Sequence, residues 1–536
     1  MKNGFRQSMA WLHTWAGVTL GWLLFAVFLT GTIAYFRQEV TLWMQPELHA
    51  AQPSAKAAEN AIRTMSEMAP GAGRWTLTLP DDRSRTVSVS WRDAGAGKRD
   101  RKRAQLDPAT GEHLDPRETR GGNFLYRFHF ELYALPRDVA RWIVGIATLS
   151  MFVAIISGVI THRNIFKDFF TFRPRKGQRS WLDLHNVTAV LGLPYHLMIT
   201  YSGLLLLITT LMPFAMDQER RGGPRGGERP AAEKIVEMPP LAPIAPMLAQ
   251  AEAAWGQGVG RIIVLRPGGE KPVIELAPLR NTHLTAHSGS GSAGVERMRF
   301  NGRTGDLISA KDAPELSTVR AAHNVFTSLH RARYADTATR WLYFLSGIAG
   351  TVMVGTGLLL WVAKRRAKHL RGSEPSLGFR LVARLNIGAV AGLPMAVGAY
   401  FWANRLLPVD LAGRGDWEIR CFFFVWAAAA LYPFARRLSH AWPEVLFMSG
   451  GLLAGLPVVN ALTTDSHLGH SLAGGDWMVA AVDLAALALG LAFLAAAGML
   501  VRRRTTGAPA RTVRRAATTP TPGAIADAPR PVAEDA

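Results

Sequence analysis

The chain has 536 residues, 49% of them apolar, and a formal net charge of +21 at pH 7. The apolar residues collect in runs of about 20 or more, the length that an α-helix needs to cross a membrane, so an ordinary soluble domain is excluded. The single cysteine, Cys421, excludes an internal disulfide, an iron–sulfur cluster held by this chain alone and covalent haem attachment through Cys-x-x-Cys-His.

Eight apolar runs predict eight transmembrane helices in a mainly α-helical membrane protein. They lie at about 11–36, 141–161, 187–212, 341–363, 386–404, 419–435, 444–461 and 477–501. The first, within residues 1–36, is too long for a signal peptide and lacks a small-residue cleavage site, so we expect it to remain as a helix. The last four form a C-terminal membrane extension over residues 386–501, followed by a tail, 502–536, that we expect to be disordered.

The positive charge is concentrated on one side of this eight-span arrangement. Five basic clusters fall there: Lys2 with Arg6, Arg163 to Arg179, Lys364 to Arg384, Arg436 with Arg437, and Arg502 to Arg504. By the positive-inside rule, this predicts that both termini and the loops 162–186 and 364–385 lie in the cytoplasm. The charge therefore reflects topology. Membrane lipid is an expected partner, and nucleic acid is not.

The two long outward loops, 37–140 and 213–340, share one pattern. Each contains a helical stretch followed by three alternating strands, and each ends in a similar turn, at Asp107 to Gly111 and at Asn301 to Gly305. The pattern predicts two small extracytoplasmic α+β domains. A Gly- and Pro-rich linker at 219–246 precedes the second.

The first four spans form two copies of one module, in which a membrane helix, an outward loop and a second membrane helix follow each other. A third, partial copy of this module occurs in the extension. Residues 184–201 align with residues 384–401 on Gly-Leu-Pro, but leucine and alanine replace His185 and His196 in the later copy. We therefore place the chemistry in the first four spans.

Histidines recur at equivalent places in the first two copies. His13 and His185 open the first and third spans, while His129 and His330 each precede a span that begins Arg-Trp. Polar groups at membrane depth are costly and tend to be functional, and neutral imidazole is a strong axial ligand for iron. His196 follows His185 by eleven residues, which on a straight helix puts both on one face about 16 Å apart. This spacing suits two stacked haems.

The depths of these histidines suggest two ligand sets. We expect any two of His13, His162 and His185 to hold an inner haem. The candidates for an outer haem are His129, His196 and His330, with nearby aromatic residues as walls (Phe128, Phe130, Tyr133, Phe326 and Tyr334).

Other roles remain open for several of these residues. His185 is alternatively a helix cap, His196 a residue bonded to a neighbouring helix, and His162 and the aromatics ordinary interfacial residues. His323 is a reserve ligand. His467 and His470 are a weak metal-binding candidate, because no carboxylate accompanies them.

Three stretches carry a family resemblance: TLSMFVAIISGVITHRNIFKDFFTFRP, SWLDLHNVTAVLGLPYHLMITYSG, and TSLHRARY followed by RWLYFLSG. Over about residues 5–370 the chain resembles the PepSY-associated transmembrane family, in which membrane helices flank outward PepSY domains. The resemblance implies that the two outward loops are PepSY-like domains. Some members are di-haem ferric-siderophore reductases of the bacterial inner membrane, which implies that location for this chain, two b-type haems and a ferric siderophore as electron acceptor. The C-terminal extension departs from the four-span members.

Two bis-histidine haems stacked across a membrane carry single electrons, because both axial positions of each iron are filled. No Gly-x-Gly-x-x-Gly motif stands directly after a predicted strand, so we expect a separate donor, either quinol or a cytoplasmic reductase. The histidine pattern thus predicts a haem-dependent oxidoreductase, and the resemblance implies a role in iron uptake. The alternatives are a non-redox PepSY ligand-binding or regulatory membrane protein and a transport accessory subunit.

Overall fold

The computed structural model describes residues 4–505 apart from gaps at 94, 96, 98–99, 163–168, 170–172, 174–175, 212–239, 280–283, 286–295, 312–316 and 370–373. Nearly all of the predicted tail and most of the predicted linker lie outside the described residues. The helices are α1 (Phe5–Ala34), α2 (Arg37–Trp43), α3 (Ala57–Met68), α4 (Gly121–Glu131), α5 (Arg137–Thr161), α6 (Gln178–Leu191), α7 (Leu193–Leu211), α8 (Ile244–Trp255), α9 (Thr318–Arg331), α10 (Thr337–His369), α11 (Leu377–Ile387), α12 (Leu393–Leu406), α13 (Arg414–Ala435), α14 (Leu438–Ala454), α15 (Leu456–Thr463), α16 (Leu468–Ala473) and α17 (Trp477–Thr505). The strands are β1 (Ala72–Thr78), β2 (Val87–Asp93), β3 (Lys102–Leu106), β4 (His113–Leu114), β5 (Val259–Leu265), β6 (Val273–Pro278), β7 (Arg297–Asn301) and β8 (Leu307–Lys311).

Seven helical segments of the described residues are long and apolar enough to cross a membrane. They are Phe5–Ala34, Arg137–Thr161, Thr337–Arg366, Leu377–Leu406, Arg414–Ala435, Leu438–Thr463 and Trp477–Arg504. The bent pair α6 and α7 adds an eighth if it counts as one span. The predicted spans match these helices in order, but the third begins at Gln178 and the fifth at Leu377, inside the predicted inner loops. α6 begins with a polar turn from Gln178, and the first residues of α11 include Arg380 and Arg384, so both helices extend beyond the apolar runs that mark them in the sequence.

The third predicted span is broken between His185 and His196. α6 ends at Leu191, α7 begins at Leu193, and their axes differ by 69°. Pro194 weakens the helix at this point, because proline has no N–H for the helical ladder and its ring clashes with the carbonyl of the preceding turn. The prediction that both histidines lie on one face of a straight helix is therefore wrong.

Helices α1, α5 and α10 and the bent pair α6–α7 pack into a bundle. α1 contacts α5 and α10, α6 contacts α10, and α7 contacts α5. Glycines allow close approach: a Cβ at Gly21 would lie 2.7 Å from Leu358, and one at Gly145 would lie 2.7 Å from Leu211. The two copies of the module are therefore in contact with each other along the bundle.

The strands of the two long loops form one antiparallel sheet of eight strands, in the order β4-β3-β2-β1-β5-β6-β7-β8. β1 of the first loop pairs with β5 of the second, from Arg74 opposite Leu265 to Thr78 opposite Arg261. Residues of α3 and α8 share one hydrophobic core with the sheet, around the fully buried Trp75. The loops that the sequence divides into two domains thus share one sheet and one core.

The two similar turns predicted from the sequence close equivalent hairpins, β3–β4 and β7–β8. The N–H of Gly111 donates to the carbonyl of Asp107 at 2.8 Å, and that of Gly305 to the carbonyl of Asn301 at 2.9 Å. Both glycines have a φ of about +80°, where other residues are strained. Each hairpin adds a fourth strand, which the sequence pattern merges with the third.

The extension, α11 to α17, packs on the bundle and on α2 and α4. Trp43 of α2 is fully buried, and its indole N–H donates to the carboxylate of Asp483 in α17 at 3.0 Å. Trp22 of α1 likewise donates to the side chain of Asn386 at 2.8 Å. The later Gly-Leu-Pro copy passes through a π-helical turn, Gly388–Gly392, and continues as one span where the earlier copy bends.

Candidate functional site

Two pairs of histidines lie in and beside the bundle. The distal pair, remote from the sheet, is His13 of α1 and His185 of α6, whose ring centres are 6.2 Å apart. The sheet-side pair is His129 of α4 and His330 of α9, whose ring centres are also 6.2 Å apart. Four of the six predicted site residues are thus brought together in two groups of equal spacing.

Backbone carbonyls on neighbouring helices orient three of these rings. The Nδ1-to-oxygen distances are 2.8 Å from His13 to Ala154, 2.8 Å from His185 to Met353 and 2.6 Å from His129 to Val27. A carbonyl oxygen only accepts, so Nδ1 of each ring carries the hydrogen and Nε2 keeps its lone pair. That tautomer presents Nε2 as a possible metal ligand.

His330 has the same tautomer, with the hydrogen on Nδ1, but its partner is a hydroxyl group. Its Nδ1 lies 2.9 Å from Oγ of Ser202. This hydroxyl donates its own hydrogen to the carbonyl of Met198 at 2.6 Å, so it accepts from Nδ1 of His330. Burial lowers the pKa of His129, and burial together with the neighbouring His129 lowers the pKa of His330 to about 3. Both rings of the sheet-side pair are therefore neutral.

A glycine on a neighbouring helix makes room for each ring. A Cβ would lie 3.1 Å from His13 at Gly158, 3.2 Å from His185 at Gly357, 2.6 Å from His129 at Gly31, and 3.3 Å from His330 at Gly203. For the first three rings, the accepting carbonyl lies four residues before the glycine, one turn away on the same helix face. Because the glycine has no side chain, the ring can reach a carbonyl whose second lone pair is still available.

Each pair combines one histidine from each copy of the module. The same sequence interval separates His13 from His185 and Gly31 from Gly203, so the two copies contribute matching parts. Val27, whose carbonyl accepts from His129, lies fourteen residues after His13 on α1, or about 21 Å along the helix. The two pairs therefore stand at different depths of one bundle.

The other two predicted ligands lie near the pairs. His196, in the first turn of α7, is 1% exposed and its ring centre is 6.0 Å from that of Phe28. Neither ring nitrogen makes a hydrogen bond with the described residues; the Ser346 backbone is close but outside hydrogen-bond geometry. His162 ends α5, and its backbone N–H donates to the carbonyl of Gly158, the glycine that faces His13, at 3.0 Å.

The weaker sequence candidates gain no support as ligands. Among the residues that the structure describes, no group of three or more His, Cys, Asp or Glu side chains could hold a metal ion. Nδ1 of His467 instead caps α16 by accepting from the backbone N–H of His470. His323 lies on α9, two turns before the sheet-side pair, and is half-buried.

A cavity of about 690 Å³ lies between the sheet-side pair and the sheet. His129 and His330 belong to its lining, together with apolar residues of α1, α5 and α7, and the ends of β1, β5 and β6 form the opposite wall. The described residues of the lining include eight arginines and three carboxylates. Of the predicted aromatic walls, Phe130 and Tyr334 line this cavity. The others pack against aromatic rings elsewhere (Phe128, Tyr133 and Phe326).

Sequence reasoning missed the four glycines, Ser202 and the arginines of the cavity. The glycines had a usable signal, because aligning the copies on His13 and His185 also aligns Gly31 with Gly203. The arginines of the cavity had no such signal in the sequence. They come from separate helices, strands and connections, and only the tertiary fold gathers them.

Two comparisons place the chain among known proteins. A family model described as the PepSY-associated TM region matches residues 10–364, which include both histidine pairs and the sheet but not the extension. An uncharacterised protein of Pseudomonas aeruginosa is 27% identical over 386 residues, covering 68% of this chain and 91% of that protein. With its array of apolar helices, the chain is a multi-pass membrane protein, and it belongs to the PepSY-associated TM family.

Proposed function

We propose that the chain holds two b-type haems and passes single electrons across the membrane to a ferric chelate, with siderophore iron as the acceptor class. His13 and His185 would hold one haem, and His129 and His330 would hold the other. The observation that carries the proposal is the 6.2 Å separation of the ring centres in both pairs. Two imidazole rings at this separation would leave room for one haem iron held by a nitrogen of each ring.

The hydrogen bonds and glycines suit the same role. When bound, haem with two histidine ligands supplies reversible one-electron chemistry without an open position for oxygen. The Nδ1 hydrogen bonds hold each ring in orientation and raise the basicity of Nε2. Gly31 and its three counterparts leave room for the rings against the neighbouring helices.

The direction of transfer follows from the depth of the pairs. The distal pair lies toward the basic inner loops, which we propose are cytoplasmic, and the sheet-side pair lines a cavity that we propose faces outward from the inner membrane. The donor is a quinol or a cytoplasmic reductase. One quinol releases two electrons and two protons and reduces two ferric ions to ferrous ions. Hard oxygen donors hold iron(II) more weakly, so the chelate then releases its metal.

The test is the haem-to-protein ratio of purified full-length variants, measured by the pyridine haemochrome spectrum. We expect two haems in the unaltered chain and one in His185→Ala. The double variant His13→Ala/His185→Ala should also keep one haem, because both changes fall on one site, whereas His185→Ala/His330→Ala should keep none. His113→Ala, on the exposed strand β4, is the matched control and should keep two.

Two results would overturn the proposal. One is a colourless preparation from haem-replete cells. The other is equal haem loss in the two double variants, which would mean that the histidines do not act as the pairs seen in the fold.

A further inference from the structure

We propose that the cavity beside the sheet-side pair binds a compact polyanionic metal chelate, in which several carboxylates surround a trivalent ion, as in ferric citrate. This inference rests on the proposed function, because it treats the bound chelate as the electron acceptor. It adds the charge and chemical class of the chelate, which the histidines alone leave open.

The cavity lining carries an excess of positive charge, with eight arginines against three carboxylates among the described residues. Four of the arginines are ion-paired with acidic residues (Arg83, Arg141, Arg297 and Arg340). Within the described part of the chain, Arg37, Arg261 and Arg331 have no carboxylate at ion-pair distance. Charge of one sign that lines a partly enclosed cleft raises the local concentration of the opposite ion.

The arginines also repel one another. Burial, followed by repulsion from Arg331, lowers the pKa of Arg333 to about 10. Burial is the largest cause of the lowered pKa of Arg37; the nearby Tyr126 opposes it, while Arg83 and Arg331 add to it. A polyanion bound among these groups would relieve the repulsion, whereas a neutral or cationic chelate would not.

The arginines without an acidic partner come from three elements that meet at the cavity. Arg37 begins α2, Arg261 lies on β5 opposite Thr78, and Arg331 directly follows His330. Guanidinium groups bind carboxylates through two parallel hydrogen bonds, so they suit a polycarboxylate better than a hydroxamate. The volume of about 690 Å³ includes the space beside His129 and His330 that the proposed haem would fill, so the chelate would occupy the arginine-lined remainder toward the sheet.

Carboxylates at this place have two possible sources, the chelate and the propionates of a sheet-side haem. The experiment that separates these two sources measures the binding of gallium(III) citrate to full-length protein by equilibrium dialysis. Gallium(III) citrate is a redox-inert anionic analogue of ferric citrate. Haem content is determined on the same samples. Because gallium(III) is not reduced, binding is measured whether or not electrons flow.

We expect saturable binding of gallium citrate, weakened about tenfold by Arg261→Gln and partly restored by Arg261→Lys, which keeps the charge. Arg103→Gln, on the exposed part of β3 away from the cavity, is the matched control and should leave the affinity unchanged. A neutral gallium trihydroxamate should bind at least about tenfold more weakly than the citrate complex.

Equal affinity for the neutral chelate would overturn the inference, as would unchanged affinity in Arg37→Gln, Arg261→Gln and Arg331→Gln alike. Loss of haem in these variants with citrate binding intact would assign the arginines to the propionates and overturn it as well. Colourless protein that still binds gallium citrate through Arg261 would overturn the proposed electron transfer and support the anion site.

Discussion

Replacing Gly31 by alanine tests whether the space at this glycine holds the ring of His129 in its position. The new Cβ would lie 2.6 Å from Cε1 and Nδ1 of His129, against an ordinary contact of about 3.5 Å, so the ring must move by about 1 Å. That movement stretches the 2.6 Å hydrogen bond to the carbonyl of Val27 past the usual limit. Losing such a partner of a metal ligand typically costs about 10–100-fold in affinity, or about 1.4–2.7 kcal/mol.

The assay is titration of haem-depleted protein with haem, followed by absorbance. Gly31→Ala should show one site of unchanged affinity and one site weakened by that factor. Gly17→Ala is the control on the same helix, since its Cβ would meet no atom of the described residues within 4 Å. Both changes favour the helix itself by up to about 1 kcal/mol, so loss of haem could not be ascribed to a weaker α1. Two unweakened sites in Gly31→Ala would refute the argument.

Three further predictions concern the surroundings of the site. Asp483→Ala leaves the buried indole N–H of Trp43 without an acceptor and should destabilise the protein by about 1–3 kcal/mol; an unchanged thermal unfolding midpoint would contradict this. Burial lowers the pKa of His49 to about 4, so below pH 6.5 the unfolded chain takes up a proton that the folded one refuses. Stability should therefore fall by about 2 kcal/mol between pH 7 and pH 5, and His49→Gln should lack that part of the pH dependence of the midpoint. Ending the chain near residue 375 removes the rings that pack on Phe124 of α4, the helix that carries His129, so haem should be lost from the sheet-side pair before the distal pair; loss in the reverse order would contradict this.

The sequence was sufficient for the helices because hydrophobic runs of membrane length are a strong local signal. It was also sufficient for the hairpin turns, whose Asp107 and Asn301 begin the same short pattern. The bend between α6 and α7 was not predicted, although Pro194 marks its position in the sequence. A proline inside an apolar run does not show whether packing against neighbouring helices keeps the span straight or lets it bend. The later copy, with the same Gly-Leu-Pro, continues as one span.

The candidate site was predictable in its residue types but not in its pairing. Depth and repeat position identified His13, His129, His185 and His330, yet they left His162 and His196 as equal alternatives. Which rings meet depends on contacts between distant helices, as does the joining of β1 with β5 into one sheet. Such long-range pairings leave no periodic trace in a single sequence.

The equivalence of the paired parts bears on how such a protein could arise. His13 faces His185, His129 faces His330 and β1 faces β5, so each contact joins a residue or strand to its own counterpart, as at the interface of a two-fold symmetric dimer. A half-length ancestor with one copy would leave β1 as an open edge, and an identical partner would close that edge and complete both histidine pairs at once. Fusing the two genes lifts the symmetry requirement. Each half is then free to diverge. Arg331 follows His330 where Phe130 follows His129, so the cavity can suit a ligand that has no symmetry of its own.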